Sequence, residues 1–400
     1  MLKPNQKVAI YMEGYLHSDY GKMGLGVMRY HQNPIVGIID TVNAGSNINQ
    51  QHPIDRDIPI FNKLDQVIDQ GAEVLLLGIA PSGGKIPDTW LPLIEQALGK
   101  GLSIINGLHD TLSHRFSHQI LKPNQWIWDV RIPQFLPEIA SGQAAQLNNK
   151  RLLMIGTDMA CGKMTTGLEI YHWTQQNNFD TGFVATGQIG ITIMGRGIPL
   201  DALKVDHACG AVEQMVMYHK DRSLVIIEGQ GSLLHPGSSA TLPLMRGACP
   251  THMILCHRAD KTTLRHTESI KIPPLKEFIA LNESLASVLG TYGKPKVMGV
   301  ALNTVKLTEK EALNQIDYWE NELNIPVTDV IRFGAEKLAK EAEEAASQEE
   351  APAELIKLME ERTKARKAKD FSRADAIREE LTSKGWTIED TTEGPRLKRL

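Results

Sequence analysis

Long apolar runs, paired cysteines and an excess of basic charge are all missing from this chain. No stretch approaches the ~20 apolar residues of a membrane-crossing helix, so no membrane partner is expected. The four cysteines, Cys161, Cys209, Cys249 and Cys256, form no CxxC pair and no zinc spacing. They read as reduced thiols rather than a disulfide framework. A formal net charge of −4 leaves no basic footprint for bulk nucleic-acid binding. Met1 to Lys7 runs into a strand-like Val8–Met12 with no apolar leader, which makes a cytoplasmic location the expectation. What is present, 42% hydrophobic and 22% charged residues in a 400-residue chain, suits two or three domains with their own cores.

Residues 1–130 alternate short apolar runs with helical stretches. The runs are Val8–Met12, Ile35–Asp40, Ile58–Phe61, Val74–Ile79 and Leu102–Ile105. Parallel strands need crossover connections and are buried on both faces, so the alternation predicts a Rossmann-like α/β domain. Ligands of open parallel sheets sit beyond the carboxyl ends of the strands. Those ends carry Glu13-Gly14, Asp40, Ala80 to Lys85 and Asn106 to Asp110. Gly21, Gly24 and Gly26 suggest a dinucleotide fingerprint, but in the wrong order. A nucleotide-free domain is expected.

Gln125-Trp-Ile-Trp-Asp129, then Pro133 and Pro137, marks a changeover, and a second α/β domain is read over 131–345. Its expected strands are Leu152–Ile155, Gly182–Thr186, Leu224–Ile227, Met253–Cys256, Val297–Leu302 and Val327–Ile331. The first of them breaks at Gly156, passes through Thr157-Asp-Met-Ala-Cys161 to Gly162-Lys163, and leads into a helix from Met164 to Gln176. In this strand-loop-helix setting glycines let backbone N–H groups close around phosphates at the positive end of a helix dipole. Lys163 would reach terminal phosphate oxygens, and Thr165 or Thr166 would offer a hydroxyl to Mg²⁺. The loop departs from the usual P-loop: five residues separate its glycines, and Met164 follows the lysine.

Chemistry gathers at the carboxyl ends of the later strands as well. Glu228 closes Ser223-Leu-Val-Ile-Ile227 and, with Asp158 and Thr165, is a candidate Mg²⁺ holder, the alternative being a strand-terminal acid that caps the next helix. His235 follows on a loop, where it could exchange a proton near neutral pH. Gln188 and Arg196 are candidates to hold a substrate carboxylate, Arg196 by bidentate pairing. Cys161 stands at a helix N-terminus, which lowers a thiol pKa, but no histidine stands beside it to make a nucleophile.

After Gly334 the texture becomes Ala/Glu-rich, and a third module is read over 346–400. Two amphipathic helices are expected at Pro352–Lys369 and Ser372–Lys384, with Ser372 as N-cap and Gly385 as stop. Trp386–Glu389 and Arg396–Lys398 would form a small hairpin. Short helices of this kind must bury their Leu355/Ile356/Met359 and Ile377/Leu381 faces.

Gly156-Thr-Asp-Met-Ala-Cys-Gly-Lys163, Glu228-Gly-Gln-Gly231 and Asn303 resemble dethiobiotin synthetase. That resemblance implies that Asn303 reads an adenine. Ala185-Thr-Gly-Gln-Ile-Gly190, Cys209-Gly-Ala-Val-Glu-Gln214, Glu228 to Gly237 and Asp329-Val-Ile-Arg-Phe-Gly334 resemble a bacterial two-domain family that includes D-glutamate N-acetyltransferases. That family joins a Rossmann-like domain to a P-loop domain and often has cysteine where Met159 stands, so no role passes to Cys161. Residues from Ile356 to Arg396 are similar to the C-terminal tail of cysteinyl-tRNA synthetase, without that enzyme's catalytic motifs upstream.

Three readings follow. One is an amino-acid N-acetyltransferase using acetyl-CoA, with Gly156, Thr157, Asp158, Gly162, Lys163, Thr165, Thr166 and Asn303 around the cofactor and Glu228 or His235 as base. A second is an ATP- and Mg²⁺-dependent ligase or kinase, and a third a non-catalytic nucleotide-binding or RNA-associated protein. A homo-oligomer is expected, with the tail contacting a protein or tRNA.

Overall fold

Six short strands in the first 130 residues share one parallel sheet. They are β1 (Val8–Tyr11), β2 (Ile35–Ile39), β3 (Ile60–Phe61), β4 (Val74–Leu77), β5 (Ser103–Asn106) and β6 (Ile127–Asp129), in the order β3-β2-β1-β4-β5-β6. All pairings are parallel, as the buried, unalternating apolar runs require. The order reverses between β1 and β4, and there the sheet has a crevice at its carboxyl edge. Strand β6 lies inside the stretch read from sequence as a changeover; three residues are too few to show a period. The structure, a computed structural model, describes residues 2–80, 83–347, 353–391 and 394–399. Pro81 and Ser82 of the Ala80–Lys85 cluster, and Pro352 at the expected start of the first tail helix, lie outside them.

The second sheet is also parallel and has six strands. It comprises β7 (Lys150–Gly156), β8 (Thr181–Val184), β9 (Leu224–Ile227), β10 (His252–Arg258), then, beyond a small hairpin of β11 (Thr263–Leu264) and β12 (Thr267–Lys271), β13 (Lys296–Asn303) and β14 (Val327–Thr328). The order β14-β13-β10-β7-β9-β8 puts β7 between β10 and β9. The glycine loop leaving β7 therefore faces the ends of both neighbours. Strand β14 is shorter than the expected Val327–Ile331 because the Asp329 carboxylate accepts the N–H groups of Ile331 at 3.0 Å and Arg332 at 3.2 Å, which turns the chain. The β11–β12 hairpin escaped the sequence reading because its strands are short and polar.

Both sheets belong to one compact unit, Met1–Ala339. The helix Lys22–Tyr30 packs on the helix Gln188–Met194, and Gly26 is what lets it approach. A Cβ at Gly26 would stand 2.7 Å from Cγ2 of Ile189. Gly24 has the same role against the sheet: its N–H donates to the Gly78 carbonyl at 2.8 Å, and a Cβ would meet Met12 Sδ at 2.1 Å. The glycines that looked like a fingerprint are thus spent on close packing. Tyr30 Oη donates to Glu169 at 2.7 Å, and ion pairs Arg131–Asp201 and Arg265–Asp19 also join the two domains.

The second unit, Lys340–Leu400, contains the helices Ala353–Lys367 and Phe371–Ser383 and an antiparallel hairpin of β15 (Trp386–Thr391) and β16 (Gly394–Arg399). Its core is Leu355, Ile377, Leu381 and Trp386. Ile356, expected inward, is exposed, and Met359 is half-buried. The N-cap of the second helix is Asp370, whose carboxylate accepts the Arg373 N–H at 3.0 Å, rather than Ser372. Gly385 ends that region with a left-handed φ of 81°. Among the described residues no helix is long and apolar enough to cross a membrane.

Candidate active site

Strand β7 is buried along its whole length, and its last residue starts a loop held open by two left-handed residues, Ala160 at φ 53° and Gly162 at φ 116°. Alternating right- and left-handed backbone makes a concavity lined by N–H groups, suited to anions. Lys163 opens the helix Lys163–Gln176, and its Nζ turns back to donate to the Asp158 carbonyl at 2.7 Å. The ammonium is buried and among the described residues has no carboxylate bonded to it. Gly156 is needed here, since a Cβ would come within 2.9 Å of Lys163 Nζ and 2.5 Å of Cys161 Sγ.

Glu228 directly follows β9, and its carboxylate turns to the backbone that leaves β8. One carboxylate oxygen accepts the N–H groups of Thr186 at 2.8 Å and Gly187 at 3.1 Å, while the Thr186 hydroxyl donates to the Glu228 carbonyl. Burial raises its pKa from the ordinary carboxylate value to about 7, against the opposing effects of those two amides and of Lys163. A carboxyl poised near neutrality can take or give a proton at physiological pH. Gly190 and Gly187 leave it room: a Cβ at Gly190 would lie 2.3 Å from its Oε2, and one at Gly187 3.1 Å from its Oε1.

Lys163, Gly162, Thr165, Gln188, Glu228 and Asn303 all line one cleft of about 590 Å³. Asn303, at the end of β13, accepts the Val305 N–H at 3.2 Å through its side-chain oxygen. Ala80, Gly84 and Leu108, from strand-end clusters of the first domain, line the other wall, but the sequence reading missed its charged side chains. Asp19 and Lys22 come from the first sheet's domain, as does Arg131, two residues beyond β6 and just past the boundary read from sequence; Asp201 and Arg265 come from connections of the second domain and Arg258 from the end of β10. Five cationic side chains line the cleft against three acidic ones, a balance that favours anionic ligands. Only Arg258 carried a signal, standing in a cluster at the end of a strand.

Other expected residues lie elsewhere. Asp158 is buried with both oxygens engaged, accepting the N–H groups of Met159 at 2.6 Å and Arg265 at 2.7 Å, and it does not line the cleft. Thr157 is buried against His257, Oγ1 to Nδ1 2.9 Å, and Thr166 against Cys256, so neither hydroxyl is presented to a ligand. Asp158, Thr165 and Glu228 therefore do not converge as a Mg²⁺ set. His235 is half-buried on its loop, its Nδ1 accepting the Gly237 N–H at 3.1 Å, outside the cleft. Arg196 stacks 4.1 Å over the Tyr218 ring and lines a separate groove. Cys161 is buried, its thiol donating to the Asp158 carbonyl at 3.2 Å.

Residues 138–339 match a family described as a DUF1611 C-terminal P-loop domain, and residues 42–133 its N-terminal Rossmann-like domain. Residues 348–394 match the cysteinyl-tRNA ligase anticodon binding domain. The D-glutamate N-acetyltransferase of Tritonibacter scottomollicae is 32% identical over 320 residues, 79% of this chain and 92% of that protein. The enzyme of the same name from a Pseudoalteromonas species is 33% identical over 67% of this chain and 80% of its own length. A crystal structure of a DUF1611 family protein from Anabaena variabilis is 44% identical, with a TM-score of 0.81, covering 85% of this chain and 100% of that one.

Proposed function

The chain belongs to the two-domain DUF1611 family, and from that premise we propose that it is an N-acetyltransferase acting on an amino acid, D-glutamate or a near relative, with acetyl-CoA. The observation that carries the reading is Glu228, a buried carboxyl with its pKa raised to about 7, in the same cleft as a P-loop lysine that has no carboxylate partner among the described residues. Coenzyme A brings a diphosphate and an adenine. Lys163, Thr165 and the loop amides would hold the phosphates, and Asn303 the adenine. The group supplies an acetyl thioester when bound.

The rest belongs to the chain. Glu228 takes a proton from the substrate ammonium, which frees the amine lone pair to attack the thioester carbonyl. Amides of the Gly229-Gln-Gly231 stretch would face the developing oxyanion. As the C–S bond breaks, Glu228 returns its proton to the leaving sulfur, and the attacking nitrogen gives up its second proton to solvent to become the neutral amide. Glu228 has the base role rather than His235, which stands outside the cleft.

Every residue of this scheme lies in the unit Met1–Ala339, so the tail is assigned to association with a protein or tRNA and not to the reaction. A chain ending at Ser347 is expected to keep acetyl-CoA affinity within about twofold by calorimetry. Only its mass by light scattering or its mobility with tRNA should change. Lost cofactor binding in a well-folded truncation would contradict this division.

A further inference from the structure

We propose that the acceptor's carboxylate is held by the N-terminal domain, through Lys22 and Arg131, across the cleft from Glu228. The inference rests on the acetyl-transfer reading for the identity of the cleft, and it names the acceptor class as an acidic amino acid.

The cations of the cleft are not equivalent. Arg265 is paired with Asp19, and Arg258 Nε with Asp260 at 3.3 Å. Lys163 sits inside the glycine loop, where phosphates would be held. Lys22 is left: among the described residues it has no hydrogen-bond or ion-pair partner. Its pKa is lowered, first by partial desolvation in the cleft and then by the nearby Arg265 charge, with Asp19 opposing. A free ammonium beside other cations is a site for an anion.

Arg131 stands on the same wall. Its Nε donates to the Gly107 carbonyl at 2.9 Å and one terminal nitrogen pairs with Asp201, which leaves the other donors of the guanidinium uncommitted among the described residues. Gln188 reaches the same point from the P-loop domain, its Cγ standing 3.5 Å from where a Gly107 Cβ would be. Lys22, Arg131 and Gln188 thus share a boundary between the domains, with Glu228 lining the same space. An α-amino acid with a second carboxylate matches that order of charges: ammonium toward the carboxyl of Glu228, carboxylates toward the cationic wall. The packing of Gly26 on Ile189 and the Tyr30–Glu169 hydrogen bond fix this wall relative to the P-loop helix. The acceptor site is incomplete without the N-terminal domain.

Calorimetry on the full chain tests this with glutarate and D-glutamate as probes, no acetyl-CoA present. Lys22→Gln is expected to weaken both by about tenfold or more, as loss of one charge-assisted contact does. Lys22→Arg should retain most of the affinity, and acetyl-CoA should bind Lys22→Gln within about twofold of wild type. The proposal is overturned if wild type binds neither probe, if Lys22→Gln binds them unchanged, or if acetyl-CoA alone loses affinity. Wild-type binding of glutarate, weakened in Lys22→Gln, with no binding of acetyl-CoA would sink the acetyl-transfer reading and leave this one standing.

Discussion

Lys163→Ala should lose acetyl-CoA affinity by about a hundredfold while folding normally. Among the described residues the ammonium makes no ion pair, and it donates to the Asp158 carbonyl and, at 3.5 Å, to Cys161 Sγ. Removing it leaves that oxygen with the Cys161 thiol as its remaining side-chain donor, a cost of about 1 kcal/mol in typical cases, and relieves the desolvation of a buried charge. The two effects oppose each other, so the melting temperature should move little. A phosphate chain loses far more, because a charged donor in a dry loop contributes about 1.5–3 kcal/mol to each such contact, or roughly ten- to a hundredfold or more in affinity. Calorimetry and a thermal melt on the same samples decide it. Unchanged affinity would remove Lys163 from the cofactor site and the P-loop from the mechanism.

Glu228→Gln is expected to lower kcat by about 10²- to 10⁴-fold, the usual worth of a positioned general base, with acetyl-CoA affinity nearly unchanged. The amide can still accept the Thr186 and Gly187 N–H groups, so shape and loop geometry survive. In wild type, kcat/KM should climb through pH 7 as Glu228 ionises, and that limb should vanish in the variant. Stability supplies a second readout with a definite sign. Glu228 has a folded-state pKa raised from 4.5 to about 7, so its contribution to folding is fully present below 4.5 and is lost as pH rises through 7. Glutamine does not ionise. Relative to Glu228→Gln, the wild type should therefore become progressively less stable between those two pH values. Wild-type turnover in the variant would exclude Glu228 as base.

The P-loop half of the cleft was legible in the sequence because it is local. Leu152–Ile155, Gly156, Gly162 and Lys163 are contiguous, and strand, loop and helix each impose their own pattern on those residues. Glu228 was legible for the same reason, as an acid closing a run of buried apolar residues. Lys22 and Arg131 were not, since their role depends on how one domain packs against the other. The clue nearest to them misled: Gly21, Gly24 and Gly26 suggest phosphate binding, while Gly24 and Gly26 admit Met12 and Ile189. Asp158 failed in the opposite way. Its type and position suit a metal, but the hairpin of β11 and β12 brings the Arg265 N–H onto its carboxylate, a contact spanning 107 residues that no motif anticipates. His235 and Arg196 sit on loops whose course the strand pattern does not determine.

Incubating the full chain with acetyl-CoA and D-glutamate, with neither ATP nor Mg²⁺ added, tests the central claim most directly. Mass spectrometry for the N-acetylated amino acid and a thiol assay for free coenzyme A should rise together, one for one. Absence of both products, with ATP–Mg²⁺ raising the melting temperature and acetyl-CoA leaving it unmoved, would contradict the account and point to an ATP-dependent enzyme on the same loop.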